Sequence, residues 1–316
     1  MNRRMDPTLV SLAAALPVLL VLGYALPDWL TFYLQVSLAS GLAALAVMLQ
    51  MRAGLVNFGQ GLYYCLGAYA GGMSGHFLGI TDALVLLLLA VVLSVAVSFI
   101  VGFLVARYRE IFYAMLSLAL SMILYGLLVR AEALGSTDGF NLPSTTFLGY
   151  APEGQALREA GYVFTCIVAL AIAAAVHRYL RSPLGAIGEA VRENELRVEY
   201  LGASPRYVVH LIYVMAAAIA GIGGVLAGIS VGHVDPNLAY WTTSGQFVFI
   251  ALLSGTGNVA APLIGAFLLV MIRVYAVEYS PYTWQMILGG VMLLIIMFLP
   301  GGLWSLTRLR KKGGLT

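Results

Sequence analysis

Charged side chains are scarce in this chain, and their crowding in one stretch is the first lead to its chemistry. They make up 10% of the sequence. Residues 181–202 nevertheless hold Glu189, Glu193, Glu195 and Glu199 beside Arg181, Arg192 and Arg197. At 100° per residue, Leu184, Ile187, Val191, Val198 and Leu201 share one helix face and most of the charges share the other. Leu196 and Tyr200 sit one turn apart within the charged face, and Glu193 and Arg197 have i,i+4 ion-pair spacing. Large side chains ringed by charge have the composition of a docking surface, with anchors inside a polar rim. The alternative is a helix resting on lipid headgroups. Such helices favour Lys and Arg on the polar face, whereas here four glutamates oppose Arg192 and Arg197. A protein partner is the better fit.

Catalysis has little to work with. A nucleotide phosphate loop needs Gly-x4-Gly-Lys-Ser/Thr, and the only lysines are Lys311 and Lys312 near the end of the chain. Leu253-Ser-Gly-Thr-Gly lies between apolar spans and is not an ATPase signature. His76, His177, His210 and His233 are scattered, with no His-Glu-x-x-His spacing, and read as interfacial histidines. Cys65 and Cys166 stand far apart in apolar runs and read as small buried hydrophobes. No cofactor, metal site or nucleic-acid partner is expected.

Polar residues inside apolar runs are candidates of another kind. Gln35, Asn57, Gln60, Ser117 and Ser121 either line a solute path or bond helix to helix. Arg273 and Glu278 are expected to form an interfacial pair. The lack of mid-span carboxylates argues against ion-coupled transport. Gly67, Gly71, Gly75, Gly224 and Gly228 recur at four-residue spacing, which lets helices approach closely within the chain.

These residues sit in a chain that only lipid can solvate. Of 316 residues, 61% are hydrophobic, and the mean hydropathy is +0.93. With roughly 20 apolar residues per crossing, about ten transmembrane helices are expected, near 9–26, 31–51, 54–78, 83–106, 111–130, 161–180, 206–231, 241–254, 260–278 and 284–300. The first is read as uncleaved, because no small-residue cleavage site follows it. The eighth is short and ends at Gly255, Gly257 and Asn258; it either crosses or turns back as a half-helix. With the N-terminus cytoplasmic, the inner side holds Arg3, Arg4, Arg52, Arg107, Arg109, Arg178, Arg181, Arg192, Arg197, Arg206, Arg308, Arg310, Lys311 and Lys312, which is 14 of the 17 basic residues. That bias favours a crossing by the eighth segment and puts both termini inside. Residues 131–160 then form an extracytoplasmic loop, and 182–204 a cytoplasmic segment. In that segment Ser182 caps, Pro183 takes the first helical position, Gly185 and Gly188 weaken the first turn, and one helix runs over 187–201 to Gly202.

The segment 184–202, with Glu189-Ala190 before Gly202, resembles the cytoplasmic coupling loop of bacterial ABC importer permeases. Its text from Arg192 to Arg197, followed by Tyr200-Leu-Gly, resembles the LivM-type branched-chain amino acid permeases. Gly54-Leu-Val-Asn-Phe-Gly-Gln-Gly, Tyr113-Ala-Met-Leu-Ser-Leu-Ala, Gly135-Ser-Thr-Asp-Gly, Ser254-Gly-Thr-Gly-Asn and Phe298-Leu-Pro-Gly-Gly-Leu resemble further signatures of that family, over about residues 31–305. Gly-Thr-Gly in place of Gly-Gly-x-Gly, and Ser136 after Gly135, depart from its pattern.

The resemblance implies a single all-α polytopic permease domain in the bacterial inner membrane, with one cytoplasmic coupling helix and no catalysis of its own. Its implied partners are a second permease (LivH-like), two cytoplasmic ATPases (LivG/LivF-like) and an external substrate-binding protein. Glu189, Ala190, Glu193, Leu196, Arg197, Tyr200 and Gly202 would couple to an ATPase. Thr137, Asp138 and Gly139 would meet the binding protein. The expected cargo is a branched-chain or related hydrophobic amino acid, with urea, short amides or aromatic acids as the alternative. A stand-alone channel or secondary transporter is the rival from another class, and a membrane enzyme a more distant one.

Overall fold

The computed structural model describes residues 6–299 and 301–305. Arg3, Arg4, Pro300, Arg308, Arg310, Lys311 and Lys312, which entered the charge-bias and end-motif arguments, lie outside the described residues.

Among the described residues the chain is α-helical but for two 3-10 turns, two isolated bridges and one small two-stranded ribbon. In order, the elements are α1 (Pro7–Ala25), α2 (Asp28–Arg52), α3 (Gln60–Leu78), α4 (Ala83–Val105), α5 (Glu110–Arg130), β1 (Phe140–Asn141), α6 (Gln155–Leu180), α7 (Pro183–Glu193), α8 (Glu195–Tyr200), α9 (Pro205–Val231), β2 (His233–Val234), α10 (Trp241–Ser254), α11 (Ala261–Tyr279) and α12 (Trp284–Phe298). Seven of these, α1, α2, α4, α5, α6, α9 and α11, are long and apolar enough to cross a membrane. Two boundaries differ from expectation. The third span was expected from 54 but becomes helical only at Gln60, and the sixth starts at Gln155 rather than near 161.

Contacts assign the elements to two ends of the bundle. At one end the α7–α8 elbow meets the C-terminus of α2 and the α4–α5 turn, Arg52 at the end of α2 donates to Thr256 in the α10–α11 loop, and Asp6 pairs with Arg181. At the other end β1 pairs antiparallel with β2, in the register Phe140↔Val234, and Asp28 meets Arg158. The segment after α12 returns to the elbow end, where Leu303 N–H donates to Leu253 O and Trp304 N–H to Ser254 O.

α2 and α9 form the centre and are mostly buried, whereas α1, α4 and α5 present most of their surface outward. Exposed residues such as Leu88, Val92, Phe99 and Ile100 on α4 suit lipid rather than water. α3 crosses α9 at backbone distance. A Cβ on Gly67 would overlap the Gly221 carbonyl, and one on Gly224 the Tyr64 carbonyl. The small-residue spacing in the sequence therefore marks an intramolecular helix crossing, as expected.

Candidate functional site

Three places gather the residues singled out by sequence. The first is the elbow. Ser182 Oγ accepts from Gly185 N–H at 3.3 Å, and Pro183 opens α7. Gly185 and Gly188 do not fray this turn. Both are buried, and Gly185 sits against the Tyr179 carbonyl, where a side chain would not fit. The single helix expected over 187–201 is in fact two. Asn194 is extended, with φ −162° and ψ 104°, and its side chain accepts from Arg197 N–H at 3.0 Å to cap α8. Asn competes with its own helix in this way. An Asn followed by Glu195 is a helix-start signal, and it could have been found in the sequence.

The bend decides which side chains are free. Val191 and Val198 are buried on either side of it, and Ile187 is half-buried. Leu201, expected on the buried face, is instead exposed, as is Leu184. α8 ends in a Schellman motif at Gly202 (φ +85°), with Gly202 N–H to Glu199 O at 2.9 Å and Ala203 N–H to Val198 O at 3.2 Å. This early stop turns Leu201 outward beside Tyr200. Leu196 is 66% exposed and Tyr200 90%, so the two expected anchors do face out, joined by Leu201.

The glutamates divide into two sets. Arg52 pairs with Glu189 at 3.0 Å and also donates to Thr256 O at 2.6 Å and 3.0 Å. Arg109 pairs with Glu195 and donates to Ala106 O and Tyr108 O, both at 2.8 Å. These two glutamates tie the elbow to its own bundle. Glu193 and Arg197 are both exposed and lie on opposite sides of the bend. The expected pair between them is not among the ion pairs of the described residues. Ala190 is half-buried against the core.

The second place is a junction of irregular backbone deep in the bundle. Gln60, at the start of α3, donates to Ala216 O at 2.8 Å. Ala216 lies eleven residues into α9, about 16 Å from its start at 1.5 Å per residue. The 53–59 segment thus reaches well into the bundle before α3 begins. Ser117 Oγ accepts from Phe58 N–H at 3.2 Å. Asn57 Oδ1 accepts from Gly59 N–H at 2.7 Å, and Asn57 Nδ2 donates to Gln60 Oε1 at 3.1 Å. A second irregular stretch, the 3-10 turn Pro236–Ala239, packs beside it. Ser121 Oγ donates to Ala239 O at 2.7 Å, and Ser244 Oγ accepts from Gly61 N–H at 2.9 Å. α10 then runs from this junction to the elbow end.

Non-helical backbone at such depth must find its hydrogen bonds inside the protein. Asn57, Gln60, Ser117 and Ser121 supply them and are each no more than 1% exposed. Gln35 is separate; it bonds Thr165 on α6 at 3.2 Å. Of the two roles open to these five residues, all five make internal hydrogen bonds.

The third place is the turn 135–139. Thr137 and Asp138 are exposed. Gly139 (φ +65°) lies against the Val234 carbonyl with no room for a Cβ, so its part is to seat β1 on β2. At the same end Arg273 stacks over Trp284, 5.2 Å from the ring centroid; this cation–π contact stands where a Glu278 pair was expected. Among the described residues no cluster of His, Cys, Asp and Glu could hold a metal ion.

Fold and site together define a multi-pass α-helical membrane protein with interrupted helices meeting inside it and an exposed apolar elbow at one end. Residues 29–297 match the family described as the branched-chain amino acid transport system permease component, and the chain belongs to that family. It is 30% identical over 287 residues to the high-affinity branched-chain amino acid transport system permease protein LivM of Escherichia coli K12, covering 83% of this chain and 67% of that protein. It is 31% identical over 161 residues to a probable LivM of Methanocaldococcus jannaschii, covering 45% and 46%. It is 23% identical over 171 residues to LivH of Salmonella typhimurium, covering 54% and 51%. No solved structure gives a significant match.

Proposed function

We propose that this chain is a transmembrane permease subunit of an ATP-driven importer, moving branched-chain or related hydrophobic amino acids into a bacterial cell across the inner membrane. The observation that carries this reading is the outward trio Leu196, Tyr200 and Leu201 at the elbow end, in a chain of the permease component family. In the proposal the elbow end is cytoplasmic and both termini lie there. The chain crosses ten times, seven times by the long apolar helices and three by α3, α10 and α12. α3 and α10 each cross together with an extended lead-in. The elbow docks on a separate ATPase, with Leu196, Tyr200 and Leu201 as anchors and Glu193 and Arg197 as rim. Glu189 and Glu195 transmit its movement to α2 and the α4–α5 turn through their arginines. A second permease of the LivH kind pairs with this one. The exposed Thr137 and Asp138 at the sheet end meet an external binding protein.

The experiment is purification of the chain after co-expression with its genomic neighbours, followed by ATPase assay with and without the binding protein. Co-purifying ATPases stimulated by loaded binding protein support the importer, and the stimulating ligand names the cargo. A chain that moves solute alone in vesicles without ATP overturns it. Crosslinks from residues 137 and 138 to an ATPase would reverse the assigned orientation.

A further inference from the structure

The lateral surface of the bundle is not the same all round. On α4 every exposed position from Leu84 to Leu104 is Leu, Val, Ala, Phe or Ile, as a lipid-facing helix requires. The surface made by residues 237–252 differs. Asn237 and Thr242 are exposed, Trp241 is 50% exposed and Gln246 is half-exposed. None of these four side chains has a hydrogen-bond partner among the described residues.

This surface lies deep. Ser244 accepts from Gly61 N–H, which puts it level with Gln60, about 16 Å into α9 at 1.5 Å per residue. Gln246 is two residues on, about 3 Å nearer the elbow end. Ser121, which holds the Ala239 carbonyl, is also about 16 Å from the start of its helix α5. Both levels fall well inside a hydrocarbon core of about 30 Å. The backbone here is irregular as well. Asp235 and Tyr240 are extended on either side of the 3-10 turn Pro236–Ala239, and α10 opens with no side-chain cap. Irregular backbone at this depth does not face lipid; protein or a water-filled gap must cover it. A free amide in hydrocarbon is costly for the same reason.

The surface also has the shape of a socket. Trp241, Thr242, Phe249 and Leu252 stand out along one side of α10. Between them a Cβ built on Gly245 would meet nothing within 4 Å, so a side chain from a neighbouring helix can enter there. Lipid tails could fill such a notch but cannot bond Asn237 or Gln246, whereas another membrane protein can do both. The chain is similar both to LivM and to LivH permeases. A partner of the LivH kind is therefore a relative of this chain, and paired relatives meet through like surfaces about a two-fold axis.

We propose that the surface from Asn237 to Leu252 is the seam on which a second permease of the LivH kind packs, with a side chain in the Gly245 notch and polar groups bonding Asn237 and Gln246. This rests on the reading of the chain as one of two paired permeases.

The test is photo-crosslinking in membranes of cells that co-express the chain with its genomic neighbours. A benzoyl-phenylalanine replaces either Phe249 on the seam or Phe99 on α4, and products are identified by mass. The expected result is a crosslink to the second permease from position 249 and none from 99. Gly245→Leu should lower co-purification of the second permease at least about tenfold, as overpacking a fitted site implies. Gln246→Leu should lower it about threefold, as loss of one interhelical hydrogen bond implies. If Gly245→Leu fails to fold, the crosslinks and Gln246→Leu still decide. Only lipid captured from 249, or pairing unmoved by both substitutions, overturns the seam. A crosslink from 249 to a second copy of this chain overturns the assigned occupant. Capture of the second permease from 99 alone sinks the seam and spares the pairing; a parent chain that carries no second permease sinks the pairing itself.

Discussion

The deep junction and the elbow use the same residue types to opposite ends. At the junction, Asn57, Gln60, Ser117 and Ser121 are buried and spend their hydrogen bonds on backbone and on one another. At the elbow, Asn194 and Gly202 also break and end helices, but what they free is exposed: Leu196, Tyr200 and Leu201. Polar residues in an apolar bundle are thus used to hold irregular backbone, and apolar residues at a charged end are left over for a partner. The difference predicts that damage at the junction is felt as lost folding, and damage at the elbow as lost partnership in a chain that still folds.

The largest effect is expected where the junction leans on the α3–α9 crossing. Gly224→Val puts a side chain on the Tyr64 carbonyl and forces two backbones apart. Overpacking against backbone belongs to the severe class, more than about 4 kcal/mol. The expected result is no monodisperse protein on size-exclusion chromatography in mild detergent. A well-folded Gly224→Val would mean that the helices do not cross as described.

Leu196→Asp, alone or with Tyr200→Ala, is the mirror case. Both side chains are exposed, so thermal stability should stay within about 0.5 kcal/mol of the parent, as for ordinary surface changes. ATPase co-purification should fall at least tenfold, since truncating one central anchor costs about 2 kcal/mol or more. If ATPases bind and transport proceeds in Leu196→Asp, the elbow is not the coupling surface.

Gln60→Leu tests the junction more gently. It leaves Asn57 Nδ2 without its acceptor and takes the side-chain donor from the Ala216 carbonyl, which keeps its helical bond, a loss of about 1–2 kcal/mol for interhelical hydrogen bonds of this kind. A lower melting temperature is expected, with ATPase co-purification per folded molecule unchanged. An unchanged melting temperature together with lost transport would instead assign Gln60 to the solute path.

Much of this division was legible in the sequence, and the part that was not has a physical reason. Apolar length located the seven long spans, and charge density the crowded segment, because hydropathy and charge are properties of single stretches. Ser182, Pro183 and Gly202 were legible because caps are local. The break at Asn194 carried a local signal too, but the apolar periodicity running through it suggested one helix. Gly185 was misread because its reason is the Tyr179 carbonyl behind it, and no pattern along the helix reports a close neighbour. The partners of Glu189 and Glu195 lie far away in sequence, at Arg52 and Arg109. An i,i+4 rule can only offer Arg197 to Glu193, and the bend removes that pair. The same limit hid the irregular backbone of 53–59, which the sequence marked with glycines and Asn57 but which was expected as the first part of the third span.

The smallest expected effect concerns the link between the two regions. Arg52 joins the elbow, through Glu189, to the carbonyl of Thr256 at the far end of α10, the helix that leaves the junction. Glu189→Gln removes the charge but leaves an amide oxygen that can still accept from Arg52. The Glu189 side chain is 56% exposed, and a half-exposed pair contributes no more than about 0.2–1 kcal/mol, screened by salt. Melting temperature should therefore barely move, and any drop should shrink between 50 mM and 500 mM salt. Coupling is the sharper readout. If Glu189 relays elbow movement to α2 and α10, Glu189→Gln keeps its ATPases but loses part of their stimulation by loaded binding protein, and Arg52→Ala loses more, since the Thr256 bonds go as well. Should both variants retain full stimulation at either salt, the elbow and the junction move independently, and the arginine bridge only positions α7.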